Sequence, residues 1–176
     1  MYSEVISRGS MRISIATSIR TFCVIIIVLF IWTSSLLADE LYVPDQYSTI
    51  QEAIDDSVHG DIVCLSDGIY LGEGNKNLYT QGKAITIKST SDNSSTCIID
   101  CEYSGRGFNF VCEEGYGTVL RSITIQHANT SEFLQDGAIL CDGGSPIIEQ
   151  CRIVSNLATE GAAGIACYNS RAIIRD

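Results

Sequence analysis

Between Val119 and Asp176 a short pattern occurs, lapses and returns, and that recurrence limits what the chain can fold into. Apolar residues stand at Leu120, Ile123 and Ile125, with Arg121-Ser122 in the first gap. The same arrangement returns at Ile148, Cys151 and Ile153, with Glu149-Gln150 in the gap. A third copy opens at Ile173-Ile174-Arg175-Asp176, after a nearly equal interval. The segment ahead repeats too: Ala138-Ile139-Leu140-Cys141 returns as Gly164-Ile165-Ala166-Cys167. Short alternating runs with a period in the twenties are what a solenoid of stacked coils writes into a sequence.

The spacing has a geometric reading. Ile123 and Ile125 flank polar Thr124, and Cys151 and Ile153 flank Arg152, so each pair faces one side of a strand. The two-residue gaps break the alternation and predict a corner that lets both flanking strands aim inward. Successive coils then lie about 4.7–4.9 Å apart, and equivalent residues stack. The pattern predicts an inward ladder of Leu120, Ile148 and Ile174 and another of Cys112, Cys141 and Cys167. At the corner it predicts Arg121, Glu149 and Arg175 in a column of alternating sign, where like charges would repel. The competing architecture is an antiparallel sandwich with coincidental spacing.

The chain has 176 residues, 45% of them hydrophobic and 18% charged, which excludes a disordered polyelectrolyte and fits one domain with a core. The segment 1–38 differs from the rest. Arg8, Arg12 and Arg20 precede an apolar run from Phe22 to Trp32, and Thr33-Ser34-Ser35-Leu36-Leu37-Ala38 follows. That is the order of a secretory signal. The run from Phe22 to Trp32 is well short of the about 20 residues that span a bilayer. We therefore read 1–38 as a signal peptide and 39–176 as one β-helix domain, with no membrane span in the mature chain and a secreted, extracellular or cell-envelope location. A signal anchor is the alternative. Cleavage nearer Ser35 and a start at Met11 also fit. The mature chain carries 8 basic and 20 acidic residues, a net charge of −12, which repels nucleic acid and anionic membranes.

Seven cysteines follow the signal: Cys64, Cys97, Cys101, Cys112, Cys141, Cys151 and Cys167. No CxxC spacing suggests zinc. In an oxidising compartment some should pair, and the odd number leaves at least one thiol over. Cys141 and Cys167 are the candidates for a bridge between coils; as fillers of an inward ladder they serve equally as small apolar residues.

Ahead of the repeats, Ser48 or Thr49 can cap a helix with Gln51 or Glu52 as capping-box acceptor, and Ile50, Ala53, Ile54 and Val58 share one face. Such a helix, ended by Gly60-Asp61, would plug the open end of a solenoid. Strands are predicted at Ile62–Leu65, Ala84–Lys88 and Cys97–Asp100, with Asp67-Gly68 as a turn, 72–83 as a loop or insertion and Ser89 to Thr96 as a polar loop. Phe108, Phe110 and Cys112 share one strand face. Asn93-Ser94-Ser95 and Asn129-Thr130-Ser131 fit the glycosylation acceptor pattern, which matters only in a eukaryotic host.

Two stretches carry a resemblance. Tyr47-Ser48-Thr49-Ile50-Gln51-Glu52-Ala53-Ile54, continuing through Gly60-Asp61-Ile62-Val63 to Asp67-Gly68-Ile69-Tyr70, resembles the capping helix and first coil of the pectate-lyase-like superfamily, pectinesterases included. Gly137-Ala138-Ile139-Leu140-Cys141, Ser145-Pro146-Ile147-Ile148, Cys151 and Asn156 resemble repeats of large bacterial surface proteins. Over about 41–176 the resemblance implies an all-β fold, a right-handed parallel β-helix solenoid with a short N-terminal capping α-helix. It implies Asn at the corner that here holds Ser122, Gln150 and Asp176. Pectinesterases carry paired Asp, Gln and Arg motifs, of which Gln135-Asp136-Gly137 is one fragment. Pectate lyases set acidic calcium ligands and a basic catalytic residue on one face. Asp100, Asp136 and Asp142, with Arg121 or Arg152, are the nearest counterparts, and each also reads as a solvated turn charge. Calcium enters through this resemblance together with the net acidity of the mature chain, which suits cation binding; no other cofactor is implied. His127 could serve as a base or be a turn residue.

Three functions remain open at this point. The first is a structural or adhesive module, secreted or on the cell surface. The second is a polysaccharide-degrading lyase or hydrolase. The third is a carbohydrate-binding module without turnover. The partner expected in each case is a polysaccharide or other surface glycan. The sequence stops within a coil, so further coils beyond Asp176, or a partner covering that end, are expected.

Overall fold

The structure, a computed structural model, describes residues 37–111, 117–131, 137–159 and 161–176. The segment read as a signal lies outside the described residues except for its last two, and so do Cys112 and Asp136.

Alternating runs become strands here because one side of each is apolar. The chain enters with β1 (Glu40–Val43) and helix α1 (Ile50–Asp56). Coil one follows as β2 (Ile62–Leu65), β3 (Gly68–Tyr70) and β4 (Leu78–Tyr79). Coil two is β5 (Thr86–Ser89), β6 (Cys97–Asp100) and β7 (Phe108–Phe110). Coil three is β8 (Val119–Arg121), β9 (Thr124–Gln126) and β10 (Ile139–Asp142). Coil four is β11 (Ile147–Glu149), β12 (Arg152–Val154) and β13 (Ile165–Tyr168), and β14 (Ile173–Arg175) opens the next. Every named pairing is parallel, and strands of equivalent rank stack into three sheets. Sheet A runs β1-β2-β5-β8-β11-β14, sheet B β3-β6-β9-β12 and sheet C β4-β7-β10-β13. The fold is a parallel β-solenoid of about five turns.

The predicted register is the observed one on sheet A. Leu120 stacks on Ile148, and Ile148 on Ile174. Leu120 and Ile148 are buried, whereas Ile174 is exposed on the last described strand. The ladder extends backwards through Ile87 and Val63 to Leu41. Phe108, Ile139 and Ile165 on sheet C and Ile99, Ile125 and Ile153 on sheet B close the same core. Each fully buried aliphatic side chain contributes about 1.5–3 kcal/mol of burial. The cysteine ladder is corrected by the register: Cys141 stacks on Cys167 but its other neighbour is Phe110, not Cys112.

Corners are made by left-handed residues. Ser122 (φ 56°) and Gln150 (φ 54°) turn sheet A into sheet B, inside the gaps the pattern marked. The Ser122 hydroxyl donates to Gln150 Oε1 at 3.2 Å, one coil away. His127 and Ser155, both at φ 55°, turn the chain towards sheet C.

Helix α1 starts at a full capping box. Glu52 N–H donates to Thr49 Oγ1 at 3.3 Å, and Thr49 N–H donates to Glu52 Oε2 at 3.1 Å. Ile50, Ala53 and Ile54 are fully buried, and the helix packs against β1, β2 and β4. Val58 does not join them: the helix ends at Asp56 with Ser57 as its cap, and Val58 is exposed. Three strands escaped the sequence pattern: β1 ahead of the helix, β3 starting at the glycine read as a turn, and β4 inside the stretch read as a loop.

The loop between β5 and β6 crosses more than its own coil. Ser91 Oγ and Thr96 Oγ1 donate to Asp67 in coil one at 2.6 and 2.7 Å. The Ser94 carbonyl accepts from Thr124 Oγ1 in coil three at 2.6 Å. Arg152 in coil four reaches Ser95 Oγ at 3.5 Å.

Candidate functional site

Outward-facing side chains of a solenoid stand in columns, so its functional surface is a face. On sheet A one column reads Glu40, Ile62, Thr86, Val119, Ile147 and Ile173, β-branched from Ile62 onwards. Two positions on, the next reads Tyr42, Cys64, Lys88, Arg121, Glu149 and Arg175. The predicted alternation of sign is present over Arg121, Glu149 and Arg175, whereas Lys88 and Arg121 are neighbours of like charge. Glu149 Oε1 accepts from the Arg121 guanidinium, and Glu149 Oε2 accepts from Arg175 Nε at 2.8 Å. Glu149 is buried between two half-exposed guanidinium groups. Burial alone would push its carboxyl up, but the hydrogen bonds and charges of Arg175 and Arg121 outweigh that and hold it below the usual carboxylate range. A cleft of about 400 Å³ beside this column is lined by Asp92, Arg121, Glu149, Gln150 and Asp176.

A second cluster sits where sheet B turns towards sheet C. The Asp100 carboxylate accepts from Glu102 N–H at 2.9 Å, Gln126 Nε2 at 3.0 Å and His127 Nδ1 at 3.0 Å. An ionised carboxylate only accepts, so Nδ1 of His127 carries the proton. Burial raises the Asp100 carboxyl, but those three hydrogen bonds and the neighbouring imidazole outweigh it and leave the group below its usual range. The Tyr103 ring stacks on His127 with centroids 4.6 Å apart. Glu102 Oε2 accepts from Lys76 Nζ at 3.1 Å and from Gly72 N–H at 2.9 Å.

The residues singled out from sequence do not converge. Asp100 ends β6 on sheet B, Arg121 lies on sheet A, Arg152 on the outer side of sheet B, and Asp142 ends β10 on sheet C opposite Tyr168. Asp136 lies outside the described residues. Among the described residues no group of three or more His, Cys, Asp or Glu side chains is gathered to hold a metal ion. The donors around Asp100 are N–H groups, whereas calcium takes six to eight oxygen ligands. Cys141 and Cys167 do stand in register on adjacent strands, the first buried and the second exposed. Burial pushes the thiols of Cys97 and Cys101 up to about 12 and that of Cys151 up to about 11. Among the described residues no helix is long and apolar enough to cross a membrane.

Sequence reading missed Glu102, Tyr103 and Gln126. Gln126 was within reach, because it lies one repeat period from Asp100 and so stacks on it. Tyr103 gave no signal, since nothing at the equivalent place in the later coils repeats it. The class these observations define is a parallel β-solenoid with polar columns on its lateral faces. Comparison with family models, curated proteins and solved structures found no match.

Proposed function

We propose that the chain is a secreted or cell-surface β-helix module, of the pectate-lyase-like type its sequence resembles, that binds a surface polysaccharide along its lateral face without turning it over. The observation that carries this is the Lys88, Arg121, Glu149, Arg175 column beside the cleft on sheet A. Guanidinium, carboxylate and amide groups at one-coil intervals suit the hydroxyl groups of an extended polymer, and the sheet beneath them is rigid. Adhesion follows from the same geometry, because many weak contacts along one face add up.

A binding reading is favoured over a catalytic one because an acid and a base must face the same bond. Asp100, Arg121 and Asp142 lie on three different sheets.

The test is retention on immobilised polysaccharides, compared with Arg121→Ala and Arg175→Ala. Retention weakened by both variants is expected; equal retention of all three proteins would overturn the proposal. Incubation with polygalacturonate and alginate, with and without calcium, reads turnover. Release of unsaturated products, lost in Asp142→Asn, would replace binding with lyase activity.

A further inference from the structure

We infer that the corner formed by Tyr103, His127, Asp100 and Gln126 is a separate carbohydrate subsite, built for one neutral hexose unit. It rests on the reading of the molecule as glycan-binding, but not on the sheet A cleft.

The backbone is the first observation. Coils three and four turn this corner with one left-handed residue each, His127 and Ser155. Coil two uses two in succession, Glu102 at φ 54° and Tyr103 at φ 55°. A bulky aromatic residue is a rare occupant of that region, where Gly or Asn would sit without strain. Strain of this kind persists where the surroundings hold it and concentrates at ligand sites. Here it turns a tyrosine outward.

The ring is the second. Tyr103 rests on His127 at 4.6 Å and 25° between planes, yet the residue stays 54% exposed. One face is therefore held and the other is open. An open aromatic face presents a platform for the C–H face of a pyranose.

The third is the set of polar groups next to it. Asp100 pins Gln126 and His127 from the neighbouring coil, so all three are fixed relative to the ring before a ligand arrives. Among the described residues, Gln126 Oε1 and Glu102 Oε1 have no hydrogen-bond partner, because Asp100 takes only Gln126 Nε2, and Lys76 and Gly72 take only Glu102 Oε2. Both oxygens can accept from sugar hydroxyls. Asp100 and Glu102 are both carboxylates, each held below the usual range, so an anionic sugar would meet like charge and a neutral one would not.

The probes are soluble hexaoses of β-1,4-linked glucose, mannose and galactose, with oligogalacturonate as the anionic control, titrated into isotope-labelled protein. The expected result is a shift of the Gln126 side-chain amide and the Tyr103 and His127 ring signals with at least one neutral hexaose. Tyr103→Ala should weaken that binding by about tenfold, the upper end of an aromatic stacking contact, while Tyr103→Phe keeps it. Tyr103→Asn suits the left-handed backbone, so its unaltered melting with lost binding separates ligand contact from folding. The inference fails if no neutral hexaose moves these signals, if Tyr103→Ala binds as the parent does, or if only oligogalacturonate binds. It fails then even where Arg121→Ala still abolishes retention on a polymer, which would leave the sheet A proposal standing alone.

Discussion

Glu149 shows how much one position in a stacked fold has to reconcile. It is buried, charged and sandwiched between Arg121 and Arg175, so its removal would leave two guanidinium groups in register with nothing between them. Both arginines are half exposed, which keeps the penalty below that of a fully buried pair. Glu149→Ala should cost about 1–3 kcal/mol, read as a lower urea midpoint at neutral pH. The same pair makes stability depend on pH. The folded-state carboxyl lies below its ordinary value of 4.5, so its contribution is complete above that value and is lost as pH falls through the depressed one. The urea midpoint should drop as pH is lowered past 4.5, and Glu149→Gln should flatten that drop. Sequence alone located this column, because charge alternates there at the same intervals as the apolar ladder. It could not locate Tyr103. A left-handed tyrosine and a ring stacked across a coil are properties of one turn that occurs once, and periodicity reads only what recurs.

At the scale of elements, local signals succeeded where the local physics is strong. Thr49 and Glu52 form the box their spacing allows, and Ile50, Ala53 and Ile54 bury. Thr49→Ala should lower stability by about 1 kcal/mol, measured as a lower melting temperature, with a larger loss of amide protection in α1 than in coils three and four. Val58 misled because helical spacing continues past the cap while the helix does not. β4 was hidden for a different reason. A two-residue strand, Leu78–Tyr79, has too few positions to show alternation, and it exists because β7 pairs with it. β1 likewise owes its state to β2. Strands specified by a neighbour leave little mark in their own residues.

For the molecule as a whole, two buried cysteines, Cys97 and Cys101, and the half-buried Cys151 serve as reporters. Cys97, Cys101 and Cys151 occupy coils two and four, with thiols held protonated well above neutral pH. In the native protein Cys167 should react rapidly with a thiol reagent at pH ~8, whereas Cys97 and Cys101 should react only as the fold opens. Mass mapping of the labelled sites against urea gives the order of opening. Coincident labelling of Cys97 and Cys151 is expected, and separate transitions would mean that the coils melt one by one.

Stacked repeats ordinarily feel only their immediate neighbours, so they can peel from an end. The loop from Thr90 to Thr96 ties Asp67, Thr124 and Arg152 to itself and so reaches over coils that share no strand pairing. It acts as a buckle across the stack. Stretched between its two ends, the protein should hold until that buckle gives and then yield in a single event.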